Sequence, residues 1–305
     1  MARVSIFLIL VALIVGLVGC SPTANQPDGN EEIIVLANVE VVAEVVFPDS
    51  NLEGAIREAI NKPAGIVYTT DLKNLTILNA NKHNIADLTG LEHCINLRCV
   101  LLAWNQISDI SPLAQLPGVR IDVTSRRSGR VIYSYTTLHI SLAGNLITDV
   151  TPLGNLTAPD ELTLFLSWNQ ISDISPLSEL TNMIALYLCS NNISDLSPLA
   201  GMTKLSFLEL WGNRIEDISP LSNLTELTWT ELSVNNITDI SPIAGLTNLR
   251  SVQLNNNQIT DISPLVENEG LSTGDVIDLQ WNPLNENSIN IYIPQLQARG
   301  VDVSW

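Results

Sequence analysis

The chain has 305 residues; 46% are hydrophobic but only 5% aromatic, and 32 acidic residues against 14 basic ones leave a formal net charge of −18. So negative a surface repels nucleic acid and anionic lipid headgroups, which excludes both as main partners and leaves basic or neutral ones. Apolar material is ample for a core, yet Leu, Ile, Asn, Ser and Asp recur at fixed offsets, and a repeat must be read before globular logic applies.

In chain order, Met1 and the positive Arg3 precede an apolar run from Val4 to Val18, too short for an ordinary membrane span. The run ends in Leu17-Val18-Gly19-Cys20, followed by Ser21. A basic start, an apolar core and small residues before a cut describe a secretory signal. The Leu-x-Gly-Cys ending resembles the lipobox of bacterial lipoproteins. That resemblance implies a signal peptide over 1–20, with Cys20 lipidated as the mature first residue. Two or more acyl chains there would anchor the protein stably. A polar stretch rich in Pro, Gly and Asn follows, and 21–45 is expected to be a flexible tether. The other cysteines, Cys94, Cys99 and Cys189, are odd in number and match no metal spacing. Cys94 and Cys99 read as small buried hydrophobes.

Ser50-x-x-Glu53 matches a capping box opening a helix with Leu52, Ile56, Ala59 and Ile60 on one face, stopped by Pro63. A helical cap is therefore expected over 46–76. From there the unit is L-x-x-V-x-L-x-x-N-x-I-x-D-I-x-P-L, clearest in residues 249–265, and a solenoid is expected over 77–284. Its Ile step recurs at one constant spacing, without a break, through Ile171, Ile193, Ile215, Ile237 and Ile259. The V-x-L pair alternates with period two and suits a short strand with one face inward, stacked in parallel with its neighbours. The Asn of each unit is expected to turn inward and satisfy backbone groups of its own and adjacent coils, because a buried amide repeated in register must be bonded. These are Asn105, Asn145, Asn169, Asn191, Asn213, Asn235 and Asn257. In the Ser-Pro-Leu step, Ser reads as a cap and Pro as the first position of a short 3₁₀ or α turn. One coil cannot bury its apolar side alone, so stacking is obligatory.

One interval departs from the period. The step from Ile107 to Ile147 is longer than one repeat but falls short of two, and 117–138 carries Arg120, Arg126, Arg127 and Arg130. A degenerate coil with a Ser-Gly turn is the plainer reading, a protruding hairpin the other. After Asn282-Pro283-Leu284, a last stretched copy, 285–305 is expected to cap the far end. Ile289, Ile293 and Leu296 would lie on a helix ended by Gly300, and Val301, Val303 and Trp305 on a closing strand.

The N-x-I-x-D-I-x-P-L signature and the FPDSNLEGAIREAI segment resemble the 22-residue repeats and helical cap of the bacterial internalin family, over about residues 46–305. The resemblance implies an α/β leucine-rich-repeat solenoid, with parallel strands on the concave face, short 3₁₀ or α turns on the convex face and a helical N-terminal cap. It also implies that the concave face binds other proteins. Members often carry a wall-attachment segment after the repeats; Cys20 is expected to take that role here.

Outward strand positions should lie six, four, two and one residues before each ladder Asn. Those columns hold Phe165, Tyr187, Phe207, Glu209, Trp211, Trp229 and Glu231 as candidate partner-binding residues, unless some fold flat over neighbouring coils. Trp104, Trp168 and Trp281 stand just before their Asn residues. The Asp column from Asp87 to Asp261 could collect Ca²⁺, but local bonding to backbone N–H groups explains it more simply. No metal and no cofactor is expected. His83, His93 and His139 sit in no metal or nucleophile motif, and no phosphate-cradling loop or nucleophile elbow is present, so no enzyme is expected. The reading is a monomeric, non-enzymatic, lipid-anchored envelope protein that touches the membrane only through its anchor. It would recognise a protein ligand or, alternatively, a glycan or wall polymer on the aromatic strip.

Overall fold

The computed structural model describes residues 42–116, 137–156 and 161–305. The strict repeat produces one parallel ten-stranded sheet whose strands follow chain order. They are β1 (Ile77–Asn79), β2 (Cys99–Leu101), β3 (Thr137–Ser141), β4 (Glu161–Phe165), β5 (Met183–Tyr187), β6 (Phe207–Glu209), β7 (Trp229–Glu231), β8 (Ser251–Gln253), β9 (Val276–Asp278) and β10 (Asp302–Ser304). Because inward side chains recur at fixed offsets, successive coils stack like on like. The middle strand position runs Leu78, Val100, Ile140, Leu164, Leu186, Leu208, Thr230, Val252 and Ile277, all at most 1% exposed. Behind it the Ile column from Ile85 to Ile259 is fully buried. Each such side chain contributes about 1.5–3 kcal/mol through burial.

The polar rungs hold the coils in register. In the unit at Asn235, Oδ1 accepts from the Ile215 backbone N–H at 3.0 Å, while Nδ2 donates to the carbonyls of Leu210 and Leu232 at 3.0 Å. The same three bonds, one back to the preceding coil's Ile N–H and two to carbonyls of both coils, recur at Asn145, Asn169, Asn191, Asn213 and Asn257. Asn105 bonds likewise and also accepts from His83. Asn213 alone among the seven is only partly buried.

The turn opposite each strand starts differently from expectation. Ser is the first helical residue and Pro the second, as in Ser219–Asn223, while the preceding Ile218 holds the cap position and makes no side-chain cap bond. Capping falls to the Asp two residues earlier: Asp217 Oδ1 accepts from Ser219 N–H at 2.8 Å, and the Ser219 hydroxyl donates to Asp217 Oδ2 at 2.9 Å. Backbone bonds of this kind are made by Asp87, Asp109, Asp149, Asp173, Asp195, Asp239 and Asp261.

The N-terminal cap is helix α1 (Ser50–Ala59) followed by the short turn α2 (Thr69–Leu72). Its N-cap is Asp49 rather than Ser50. Asp49 Oδ1 accepts from the N–H groups of Asn51 and Leu52, and its Oδ2 reaches Ala86 and Asp87 N–H in the first coil at 2.8 and 3.2 Å. Burial pushes this carboxyl upward, but the four N–H donors outweigh it and hold it below the usual range. The buried face is Leu52, Ala55 and Ile56; Ala59 faces solvent. Ala43 and Val45, inside the stretch expected to be tether, bond to the backbone of Val67 and Thr69, and Val45 joins the core.

The long interval between Ile107 and Ile147 holds one step of the ladder. Cys99 pairs with His139 and Val100 with Ile140, so β2 and β3 are adjacent rungs; the stretch expected as a degenerate coil or a hairpin lies almost wholly outside the described residues. Residues 117–136, with the four arginines, lie outside the described residues. The last full coil turns through α3 (Ser263–Glu267). Beyond it a π turn, Ser288–Tyr292, leads into α4 (Ile293–Ala298), and β10 closes on β9. Ile293, Leu296, Val301 and Val303 are buried, but Ile289 is 40% and Trp305 52% exposed.

Candidate functional site

The strand register converts the phase of the repeat into columns across the concave face. Asn79, Leu101, Ser141, Phe165, Tyr187, Glu209, Glu231, Gln253 and Asp278 are Cα partners in turn down the central column. Beside them, six residues before each Asn, stand His139, Phe207 and Trp229; two residues before it stand Cys189 and Trp211.

The corner residue just before each Asn adopts the left-handed region. Trp104, Trp168 and Trp281 have φ of 60°, 61° and 61°, alongside Ser190, Val234 and Asn256 and the glycines Gly144 and Gly212. This conformation aims the corner N–H at the next coil: Trp104 donates to Ala143 and Trp168 to Cys189, at 2.8 and 2.7 Å. A tryptophan there costs about 1–2 kcal/mol relative to glycine. The three indoles remain 53%, 50% and 78% exposed.

The aromatic side chains are assembled rather than scattered. Phe165 and Tyr187 stack across neighbouring rungs, centroids 4.4 Å apart and 11° between planes. Trp168 lies 6.5 Å from Trp104 and 5.7 Å from Trp211, tilted against both. Of the seven proposed contact residues, Phe207 is exposed, while Phe165, Tyr187, Glu209, Trp211, Trp229 and Glu231 are half-buried. They therefore neither stand free in solvent nor fold wholly into the coil surface.

Some members of the column two before each Asn are more covered than outward positions would be. Ala103, Ser167, Cys189 and Ser233 are all buried, Ser233 most completely at 2% exposure. The Cys189 thiol donates to Glu209 Oε2 at 3.4 Å, and burial, followed by the Glu209 charge, pushes its pKa up to about 12. Glu209 is in turn held above the usual carboxylate range by burial, against the Cys189 bond and with the Glu231 charge. Glu231 Oε1 accepts from Ser233 N–H at 2.9 Å. The Ser233 hydroxyl has no partner, a feature with no signal in the repeat. Cys94 is buried, but Cys99, expected buried, is only half so, because it occupies an outward strand position. Among the described residues no cluster of His, Cys, Asp and Glu could hold a metal, and no helix is long and apolar enough to cross a membrane. Cys20 lies outside the described residues.

A family model for leucine-rich repeats matches residues 181–223 and 230–267. Internalin C2 of Listeria monocytogenes is 33% identical with a TM-score of 0.65, over 76% of this chain and 96% of that one. A second Listeria monocytogenes internalin, inlF, is 32% identical with a TM-score of 0.69, over 85% of this chain and 71% of that one. The leucine-rich-repeat ectodomain of an Arabidopsis thaliana membrane receptor kinase, solved with Casparian strip integrity factor 2, is 16% identical with a TM-score of 0.50, over 65% of this chain and 23% of that one; it shares the fold alone. No match was found among curated proteins. The repeat signature, the stacked parallel sheet and the identity over nearly the whole of internalin C2 make this chain a member of the internalin family of bacterial leucine-rich-repeat proteins.

Proposed function

We propose that this chain is a non-enzymatic, monomeric binding protein of the bacterial cell envelope, held to a membrane by lipid on Cys20, which recognises a protein partner through its concave face. The observation that carries the reading is the joined aromatic strip on outward strand positions, with Phe165 stacked on Tyr187 and Trp168 against Trp211, beside the acidic pair Glu209 and Glu231. Rigid aromatic anchors next to charge are the usual make-up of binding hot spots, and truncating one costs about 2 kcal/mol or more of binding energy. The variant Tyr187→Ala, Trp211→Ala should keep its melting temperature and lose its partner, while Asn223→Ala on the convex turn should do neither. Undiminished binding by the concave variant would move the interaction surface elsewhere, the Arg126 segment first. For the anchor, Cys20→Ala should release the protein from the membrane fraction or leave the precursor uncleaved; a processed, membrane-bound mutant would refute lipidation.

A glycan or wall polymer is the second reading, favoured by the half-exposed indoles of Trp104 and Trp168 at 6.5 Å spacing. A glycan array set against partner capture separates the two.

A further inference from the structure

Glu209 and Glu231 are Cα partners in adjacent rungs. Among the described residues no ion pair reaches either one. From β5 to β8 the outward columns contain no Lys, Arg or His, so nothing in this part of the face compensates the two carboxylates. Glu209 is meanwhile desolvated enough to be held above its ordinary range.

Two polar atoms buried beneath these columns also lack partners. Ser233, 2% exposed, has a hydroxyl without a partner, and its own N–H is what holds Glu231 in place. In the next rung of that column, Asn255 Nδ2 donates to Asp278 Oδ2 at 3.1 Å, and Asn255 Oδ1 is buried without a partner. An aromatic bed adjoins these groups: Tyr187 precedes Glu209 in the central column, and Trp211 precedes Ser233 in the next. Two uncompensated carboxylates beside Tyr187 and Trp211 call for a cation that is rich in donors, tolerates desolvation and lies flat on aromatic rings. A guanidinium meets all three conditions, with a planar fork of five N–H donors and weak hydration; an ammonium is a strongly hydrated point charge.

We infer that this stretch of the concave face receives an arginine side chain of the protein partner, its guanidinium lying against Tyr187 and Trp211 and donating to Glu209 and Glu231. The inference rests on the protein-binding reading above and specifies the chemistry of its contact.

The test titrates a fluorescent blocked tri-arginine peptide, and its tri-lysine counterpart, into the full chain at roughly 0.15 M salt, where long-range attraction to the net charge is screened. Arginine should be preferred over lysine about fivefold, and Glu209→Gln, Glu231→Gln should weaken tri-arginine binding about tenfold. The control Glu216→Gln, Glu226→Gln removes the same charge from exposed positions off these columns and should weaken it less than about twofold. Equal losses in the two double variants, or equal binding of tri-lysine, would overturn the arginine site. If Tyr187→Ala, Trp211→Ala loses the natural partner while Glu209→Gln, Glu231→Gln binds it as wild type does, the concave-face reading survives and the arginine contact falls.

Discussion

Gly144 forms the bed on which the Trp104 indole rests: a Cβ built on Gly144 would stand 2.5 Å from Trp104 Cε3 and 2.7 Å from Cδ2. Gly144 also has φ +67°, so alanine there meets both a clash and a left-handed backbone. Gly144→Ala should cost about 1–2 kcal/mol of stability and shift tryptophan emission as the indole is displaced. Denaturant unfolding followed by fluorescence checks both; an unshifted spectrum would mean that Trp104 is not seated there.

The ladder amides should dominate coil cohesion. Asn235→Ala strands the Ile215 N–H and two carbonyls and should cost about 1–3 kcal/mol. Gln258→Ala, at an exposed position, should stay within about 0.5 kcal/mol of wild type. Asn256 would be a poor control, since it occupies a left-handed corner at φ 53° that asparagine tolerates better than alanine. Melting temperatures of the two variants decide the matter.

Asp49 ties the cap to the first coil by accepting from two N–H groups of the helix and two of the coil. Asp49→Ala should cost about 0.5–2 kcal/mol, the range of a lost N-cap, and should raise amide exchange at Leu52 and Ala86 together. Ser50→Ala should leave both unchanged. If Ser50 proves the costlier position, the cap is the capping box after all.

Thr230 stands in the buried column where its rung neighbours are Leu208 and Val252, and its hydroxyl has no partner. Thr230→Val keeps the shape and removes the orphan, so it should stabilise by about 1 kcal/mol. A loss in the denaturation midpoint would show that the hydroxyl is satisfied.

Two carboxylates should titrate with opposite effects on stability. Glu209 is held above its ordinary range, so its contribution is complete in acid and lost as pH rises through the raised value. Glu209→Gln should therefore raise the melting temperature at about pH 7, and the gain should vanish in acid. Asp217, held below its ordinary range first by the Ser219 N–H and then by its hydroxyl, contributes above that range and loses the contribution as pH falls. Asp217→Asn should lower the melting temperature at neutral pH, with the difference closing in acid. Melts across the acid range test both signs.

The phase of the repeat alone determined which residues face inward and which outward, because period-two strands stacked coil on coil leave no freedom of register. Phe165, Tyr187, Glu209 and Glu231 could thus be aligned in one column from the sequence, and they are consecutive Cα partners. The Asn and Asp columns were legible for the same reason. What followed from contacts between coils was not. Asp49 caps its helix while bonding Ala86 in the first coil, so the nearer Ser50 looked like the cap. The single step from β2 to β3 depends on which strands meet, which the spacing of Ile107 and Ile147 cannot supply. The left-handed corners arise because each N–H must turn toward the next coil, a demand that puts tryptophan where local preference would put glycine or asparagine. The stacking of Phe165 on Tyr187, the seat of Trp104 on Gly144 and the burial of the unpartnered Ser233 hydroxyl were likewise decided by tertiary packing, since the first two join neighbouring coils and the third appears only once the coils are stacked.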